Sequence, residues 1–195
     1  VGCYDCGDSI RFKQRFPECQ VYSFEASPSR HTKLETVALK YNLNLVKKAV
    51  CDVDGTAEFY DSLVDNEQVD AQGSFFKHTE IYKTTNPRIE QKLTSVTVET
   101  TTLNSFCMNN NITEIDLLYV DVEGAELQVI KGMCDYRPKI IFVETLDLLN
   151  SESQPMWVGA TQSKDLEEYI LSLGYKLGKI LPADRLYFHS SVLEN

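Results

Sequence analysis

Acids recur at the places where this chain should end its strands. Asp5 follows Gly2 in a glycine-bearing turn, Glu25 closes Val21–Phe24, Asp52 follows Cys51, Asp121 and Glu123 flank Val122, and Glu144 ends a run of apolar residues. Carboxylates in such positions can accept hydrogen bonds from sugar hydroxyls, take a proton from a nucleophile, or hold a hard cation. Glu25 stands about 20 residues beyond the first glycine, the spacing at which an acid in a doubly wound sheet reaches ribose hydroxyls. Asp121 is the first candidate for a general base or metal ligand, with Glu123 and Glu144 next. Three acids converging without a basic partner could hold Mg²⁺ or Mn²⁺, which favour oxygen ligands. His78, in a polar stretch, is a second candidate base.

The elements that must position these residues follow from pattern. Val1 and Gly2 read as the end of a buried strand, Gly2–Gly7 as a turn, and Ser9–Phe16 as a short helix stopped by Pro17. Gln20–Phe24 is a strand. Ser27-Pro28 opens a helix in which Leu34, Val37, Ala38 and Tyr41 share one face and Asn42 closes the end. Leu43–Cys51 reads as a third strand, Asp54-Gly55 as a turn and Thr56–Tyr60 as a short strand. Residues 61–92 lack periodicity and are expected to be either disordered or a functional flap over a site. Leu93–Thr101 alternates as a strand, and Thr102 can cap a short helix bearing Leu103, Phe106 and Cys107. Ile115–Asp121 and Lys139–Glu144 are core strands flanking a helix that runs from Ala125 to Gly132. Ser163–Leu173 is amphipathic, and Tyr175–Leu181 and Arg185–His189 form a closing hairpin. The order predicts an α/β sheet, mostly parallel, with one antiparallel strand near the C-terminus.

Bulk properties narrow the function classes. The 195 residues make one domain with room for a core, and 43% hydrophobic with 25% charged residues is ordinary for a globular protein. The net charge of −10 and the lack of a basic stripe argue against nucleic acid. The apolar runs are strand-length, far short of a membrane span. The chain carries no signal peptide and starts without Met inside its first strand, so a truncated piece of a longer, cytoplasmic chain is expected, with further domains as partners. Six cysteines are spread over the chain, and Cys3-x-x-Cys6 is the close pair. The favoured reading is small buried or turn cysteines in a reducing compartment, with zinc or redox chemistry as the alternative.

A dinucleotide site needs G-x-G-x-x-G, and here Gly2 and Gly7 lack the middle glycine that admits a pyrophosphate. A cofactor with a ribose but no phosphate fits better, and S-adenosylmethionine is such a cofactor. Gly2-Cys3-Tyr4-Asp5 with Gly7-Asp8-Ser9, Val21–Pro28, Ala49–Tyr60, Thr101–Phe106, Ile115–Gly132 and Ile141–Glu144 together resemble the FkbM-type S-adenosylmethionine-dependent methyltransferases. The block Asp121-Val122-Glu123-Gly124-Ala125-Glu126 is the most specific part of the likeness. Cys6 is an extra residue in the glycine turn relative to that pattern.

The resemblance implies a class I methyltransferase (Rossmann-like) fold, doubly wound, in one domain over 1–195 with a substrate flap around 61–92. It implies O-methylation of a hydroxyl on a sugar, glycan or small-molecule acceptor. Gly2, Cys3 and Gly7 would pass under the methionine moiety, with Tyr4, Asp5, Ser9 and Ala26 beside them. Glu25 would take the ribose hydroxyls, Asp52 would neighbour the adenine, and Asp121 would be among the cofactor-binding residues. The rival readings are a nucleotide-dependent oxidoreductase or epimerase, and a catalytically inactive methyltransferase-fold binding module.

Overall fold

In the computed structural model the described residues are 1–65, 68–69, 72–145 and 156–193. In chain order they form α1 (Gly7–Arg15), β1 (Tyr22–Phe24), α2 (Pro28–Tyr41), β2 (Asn44–Val46), β3 (Ala49–Val50), β4 (Gly55–Phe59), β5 (Ser62–Val64) and β6 (Gln68–Val69). There follow α3 (Glu80–Thr85), β7 (Ile89–Gln91), β8 (Val96–Thr101), α4 (Leu103–Asn109), β9 (Leu117–Val120), α5 (Glu126–Lys131) and β10 (Ile140–Glu144). The chain closes with α6 (Ser163–Ser172), β11 (Tyr175–Ile180), β12 (Asp184–His189) and a last turn of helix, α7 (Ser190–Leu193).

Among the described residues the strands form several mixed sheets rather than the mostly parallel one expected. One has the order β11-β12-β10-β9, a second pairs β1 with β2, a third runs β3-β8-β4 and a fourth β6-β5-β7. The pairs β1/β2, β3/β8 and β9/β10 are parallel. The pairs β10/β12, β11/β12, β4/β8, β5/β6 and β5/β7 are antiparallel. Short turns such as Leu181–Ala183 dictate this, because two or three residues can join antiparallel strands but cannot make a parallel crossover. The antiparallel strand expected near the C-terminus is β12.

Two elements depart from the pattern-based reading. The strand expected over Leu43–Cys51 is split at Lys47-Lys48, with β2 paired to β1 and β3 to β8. Lys47 and Lys48 turn out to the surface there and pair with Glu35 and Glu99. The 61–92 stretch is not featureless: it carries β5, β7, the backbone pairing of β6, and α3, which Thr79 caps by accepting from Tyr82 N at 3.2 Å. Its strands are three residues or fewer, too short for a local period to reveal them.

Val1–Cys3 joins two of the sheets. Val1 N donates to Tyr119 O at 2.7 Å and Asp121 N to Val1 O at 3.1 Å, while Gly2 N and Cys3 N both donate to Phe24 O, at 3.2 and 2.9 Å. The N-terminal residues therefore lie between β1 and β9 and bring Glu25 and Asp121 to the two sides of one turn. Beneath them Val120, Ile141, Val143, Val129 and Ile170 are fully buried and hold β9, β10, α5 and α6 in one core. Each such aliphatic side chain contributes on the order of 1.5–3 kcal/mol when removed from water. No helix among the described residues is long and apolar enough to cross a membrane.

Helix ends set the rest of the frame. Thr102 caps α4 by accepting from Ser105 N at 3.0 Å, as its residue type predicts. Ser27 precedes α2 with Pro28 at its first position, but its hydroxyl donates to Asp61 Oδ1 at 2.6 Å instead of capping. Gly132 ends α5 with an ordinary right-handed φ of −64°. Its lack of a side chain serves packing, since a Cβ there would lie 2.2 Å from the carbonyl oxygen of Cys51.

Candidate active site

The turn after Val1 is shaped by two close approaches. Gly2 has φ +78°, and a Cβ on it would sit 1.7 Å from Asp121 O, so only glycine lets the first strand run this close to the end of β9. Cys6 N then donates to Cys3 O at 2.7 Å, with Tyr4 (φ 50°) and Cys6 (φ 63°) in the left-handed region. Cys6 is fully buried and forms the N-cap position of α1. The residue that looks like an insertion is thus a plug between the turn and Leu34 and Ala38 of α2.

Glu25 sits at the carboxyl end of β1, only 7% exposed. Its Oε2 accepts from Tyr4 N and its Oε1 from Ser27 N, each at 2.9 Å. Burial pushes its carboxyl up, and the two backbone donors and the Arg30 guanidinium act against that rise. Arg30 stacks over the Tyr4 ring, 4.0 Å from its centroid. A carboxylate has about four lone-pair directions, so two remain on Glu25 for a ligand.

Across the turn, Asp121 ends β9 and begins a tight connection into α5. Glu123 (φ 57°) and Gly124 (φ 103°) are both left-handed, and Glu126 Oε1 accepts from Val122 N at 3.2 Å and Gly124 N at 3.1 Å. Burial raises the Glu126 carboxyl to about 7. From the 61–92 stretch, Ser74 Oγ donates to Glu123 O at 2.6 Å and so pins this connection from outside. Asp121, Glu123 and Glu144 each offer one carboxylate oxygen within 4.8 Å of the others. Burial, then the charges of Glu123 and Asp121, push Glu144 up to about 11. Asp121 is raised as well, chiefly by burial, and its hydrogen bond with Glu144 works in the opposite direction. At neutral pH this cluster therefore retains a proton unless a cation balances it.

Glu25 and the Asp121 end of the acid cluster face one cleft with about 690 Å³ of empty space, open to solvent. Gly2, Tyr4, Ala26, Asp121 and Glu123 line it, together with Arg30 and Lys48 and the apolar faces of Val50, Phe59 and Phe75. An apolar hollow with a few convergent polar groups is the usual form of a cofactor site.

The other expected residues are placed differently. Cys3 does not line the cleft; its sulfur lies 3.3 Å from that of Cys6. Asp5 Oδ1 accepts from Gly7 N at 2.8 Å, and Ser9 Oγ accepts from Ser23 Oγ at 2.8 Å, so both hold the turn from behind. Asp52 is exposed, accepts from Cys51 Sγ at 3.2 Å and is not among the lining residues. His78 is also off the cleft: it is buried, stacked on Tyr82 at 3.8 Å, and lowered to about 4 by burial.

Lining residues that pattern did not single out are Arg30, Lys48, Phe59, Asp61 and Phe75. Arg30 was within reach of sequence reasoning, since the first turn of a helix that follows Glu25 must face the same strand ends. Asp61 was not, because its role depends on Ser27 Oγ and Lys92 Nζ, the latter at 3.2 Å.

The family model described as the methyltransferase FkbM domain matches residues 1–177. The chain belongs to the FkbM methyltransferase family. Among relatives, 2-O-methyltransferase NoeI of Sinorhizobium fredii (strain NBRC 101917 / NGR234) is 30% identical over 151 residues, 74% of this chain and 60% of that protein. Methyltransferase 1 of Beauveria bassiana (strain ARSEF 2860) is 23% identical over 152 residues, 74% of this chain and 61% of that protein. The chain thus spans about three-fifths of the length of these two relatives. The crystal structure of an FkbM methyltransferase from Methylobacillus flagellatus KT superposes with a TM-score of 0.54 at 14% identity, over 97% of this chain and 42% of that one. At that identity the likeness is one of fold.

Proposed function

We propose that this FkbM family member is an S-adenosylmethionine-dependent O-methyltransferase acting on a hydroxyl of a sugar or glycan. The observation that carries the reading is the pairing of Glu25 and Asp121 across one glycine turn, with Gly2 in contact with the backbone of both β1 and β9. We read Val1–Cys3 as the first strand of a doubly wound class I methyltransferase sheet, β2-β1-(Val1–Cys3)-β9-β10-β12-β11. We read 1–195 as one domain, with 61–92 a flap that contributes Gly73 and Phe75 to the cleft.

Bound S-adenosylmethionine would supply a methyl group already activated on a sulfonium. The residues of the chain then have three tasks. Glu25, with two lone pairs uncommitted, accepts the ribose hydroxyls. Val50, Phe59 and Phe75 exclude water from the adenosyl end. The ionised member of the Asp121–Glu144 pair would take the proton of the acceptor hydroxyl, while the protonated member would stabilise the shared charge. Holding the hydroxyl in line with the methyl group supplies much of the acceleration. A 2-O-methyltransferase among the relatives supports oxygen as the nucleophile.

A second reading of the same acids is favoured by their spacing: Asp121, Glu123 and Glu144 would hold Mg²⁺ or Mn²⁺, lowering the acceptor hydroxyl's pKa. The deciding experiment is transfer of labelled methyl from S-adenosylmethionine to a panel of sugars and oligosaccharides, with and without chelator. Asp121→Asn is expected to lower kcat at least 100-fold with the fold intact. Turnover unaffected by Asp121→Asn would remove Asp121 from the chemistry, and turnover unaffected by chelator would remove the metal.

A further inference from the structure

We propose that Cys3 and Cys6 are a redox-reactive thiol pair, closed to an intramolecular disulfide by low-molecular-weight disulfides of the glutathione type, and that closure weakens the cofactor cradle. The pair is built for it. The two sulfurs are 3.3 Å apart, and both cysteines are free thiols. Cys6 N bonds to Cys3 O, which makes Cys3–Cys6 a β-turn. A β-turn brings its end Cα atoms within about 7 Å, and a disulfide spans about 4.4–6.8 Å between Cα atoms. A bond of about 2.05 Å then requires mainly side-chain rotation.

The two cysteines divide the labour. Cys3 is partly exposed and Cys6 fully buried, so an incoming disulfide meets Cys3 first. The hydrogen bond shared with Cys3 lowers the Cys6 thiol, whose place at the N-terminus of α1 acts the same way, while that bond and burial push the Cys3 thiol up. Cys3 releases its proton to solvent and attacks one sulfur of RSSR, breaking that S–S bond; the expelled thiolate takes a proton from solvent. Cys6 then gives up its proton and attacks the Cys3 sulfur, expelling the second RSH. Two S–H bonds and one S–S bond are exchanged for one S–S bond and two S–H bonds, so no further oxidant is needed.

The link to the cleft is Tyr4, the residue between the pair whose N–H donates to Glu25 Oε2. Re-setting the turn re-aims that donor and with it the carboxylate. This second half rests on the cofactor reading above. Reduced protein is incubated with oxidised glutathione, trapped with iodoacetamide and digested. The peptide holding Cys3 and Cys6 is expected to lose both alkyl groups and two mass units, while the isolated exposed Cys19 and Cys134 carry glutathione. In Cys6→Ser a glutathione adduct should persist on Cys3, and Cys3→Ser should leave Cys6 unreacted. A doubly alkylated Cys3–Cys6 peptide under conditions that modify Cys19, or a lasting Cys3 adduct in the parent protein, overturns the assignment. S-adenosylhomocysteine should bind the oxidised parent at least tenfold more weakly, reversibly with reductant, and Cys3→Ser indifferently to oxidant. Equal affinity in both redox states overturns the coupling. Failure to bind the reduced parent at all counts against the cofactor reading, while the peptide masses still judge the thiol pair.

Discussion

Replacing Glu25 by Gln keeps the shape of the side chain and removes the property on which the site depends. Both carboxylate oxygens accept a backbone N–H, from Tyr4 and Ser27 at 2.9 Å, in a position 7% exposed. An amide offers one accepting oxygen; its NH₂ must face the other backbone donor. One buried N–H is left unpaired, which costs about 1–3 kcal/mol of stability. Ligand binding suffers more, because ribose hydroxyls would lose a charged acceptor, and hydrogen bonds to charged groups contribute about 1.5–3 kcal/mol each. Loss of one to two such bonds raises Kd by a factor of roughly 10 to 10⁴, with about 10²–10³ the central expectation. Calorimetric titration with S-adenosylhomocysteine reads this directly, with urea unfolding run in parallel to confirm the fold. A titration with the 2′,3′-dideoxy analogue sharpens it: the parent protein should discriminate against the analogue, and Glu25→Gln should not. A folded Glu25→Gln protein that binds within threefold of the parent, with the same preference for the diol, would refute the role assigned to Glu25.

Further expectations concern the frame. Gly132→Ala should destabilise by about 1–3 kcal/mol through the 2.2 Å approach of its Cβ to Cys51 O, and denaturant unfolding would show it. Gly159→Ala is the control, since its Cβ meets nothing within 4 Å and only the positive φ of 82° is strained, at about 1–2 kcal/mol. His78, buried and lowered from 6.5 to about 4, contributes stability that is complete above pH 6.5 and lost as pH falls towards 4. The unfolded chain binds a proton there that the native one refuses, and the displacement corresponds to about 3 kcal/mol. Urea midpoints measured from pH 7 to 4 should fall less steeply in His78→Phe than in the parent, and parallel pH profiles would contradict the assignment.

Much of the frame was legible because its signals are local. Ile115–Asp121 and Lys139–Glu144 read as core strands from their apolar runs, and β9 and β10 lie there, parallel, with Val120, Ile141 and Val143 fully buried. The closing hairpin and the Thr102 cap were equally visible. The chain's FkbM membership was legible from spaced motifs, above all Asp121–Glu126. What escaped depends on distant partners. Ser27 looks like a helix cap, but Asp61 competes for its hydroxyl with a charged acceptor. Cys6 looks like an insertion, and only the packing of α2 behind it shows that it is a buried plug. The strands β5 and β7 are too short to carry a period, and the direction of a strand in a mixed sheet follows from turn length and edge availability, which apolar patterning does not encode.

The central claim is that the cleft between the Gly2 turn, Glu25 and Asp121 receives an adenosyl sulfonium cofactor. Titrating the reduced protein in a calorimeter with S-adenosylhomocysteine, S-adenosylmethionine and NAD tests it most directly. Saturable, one-to-one binding of both adenosyl compounds, with no heat from NAD, is the predicted result. Binding of NAD alone, or of none of the three, would contradict the account.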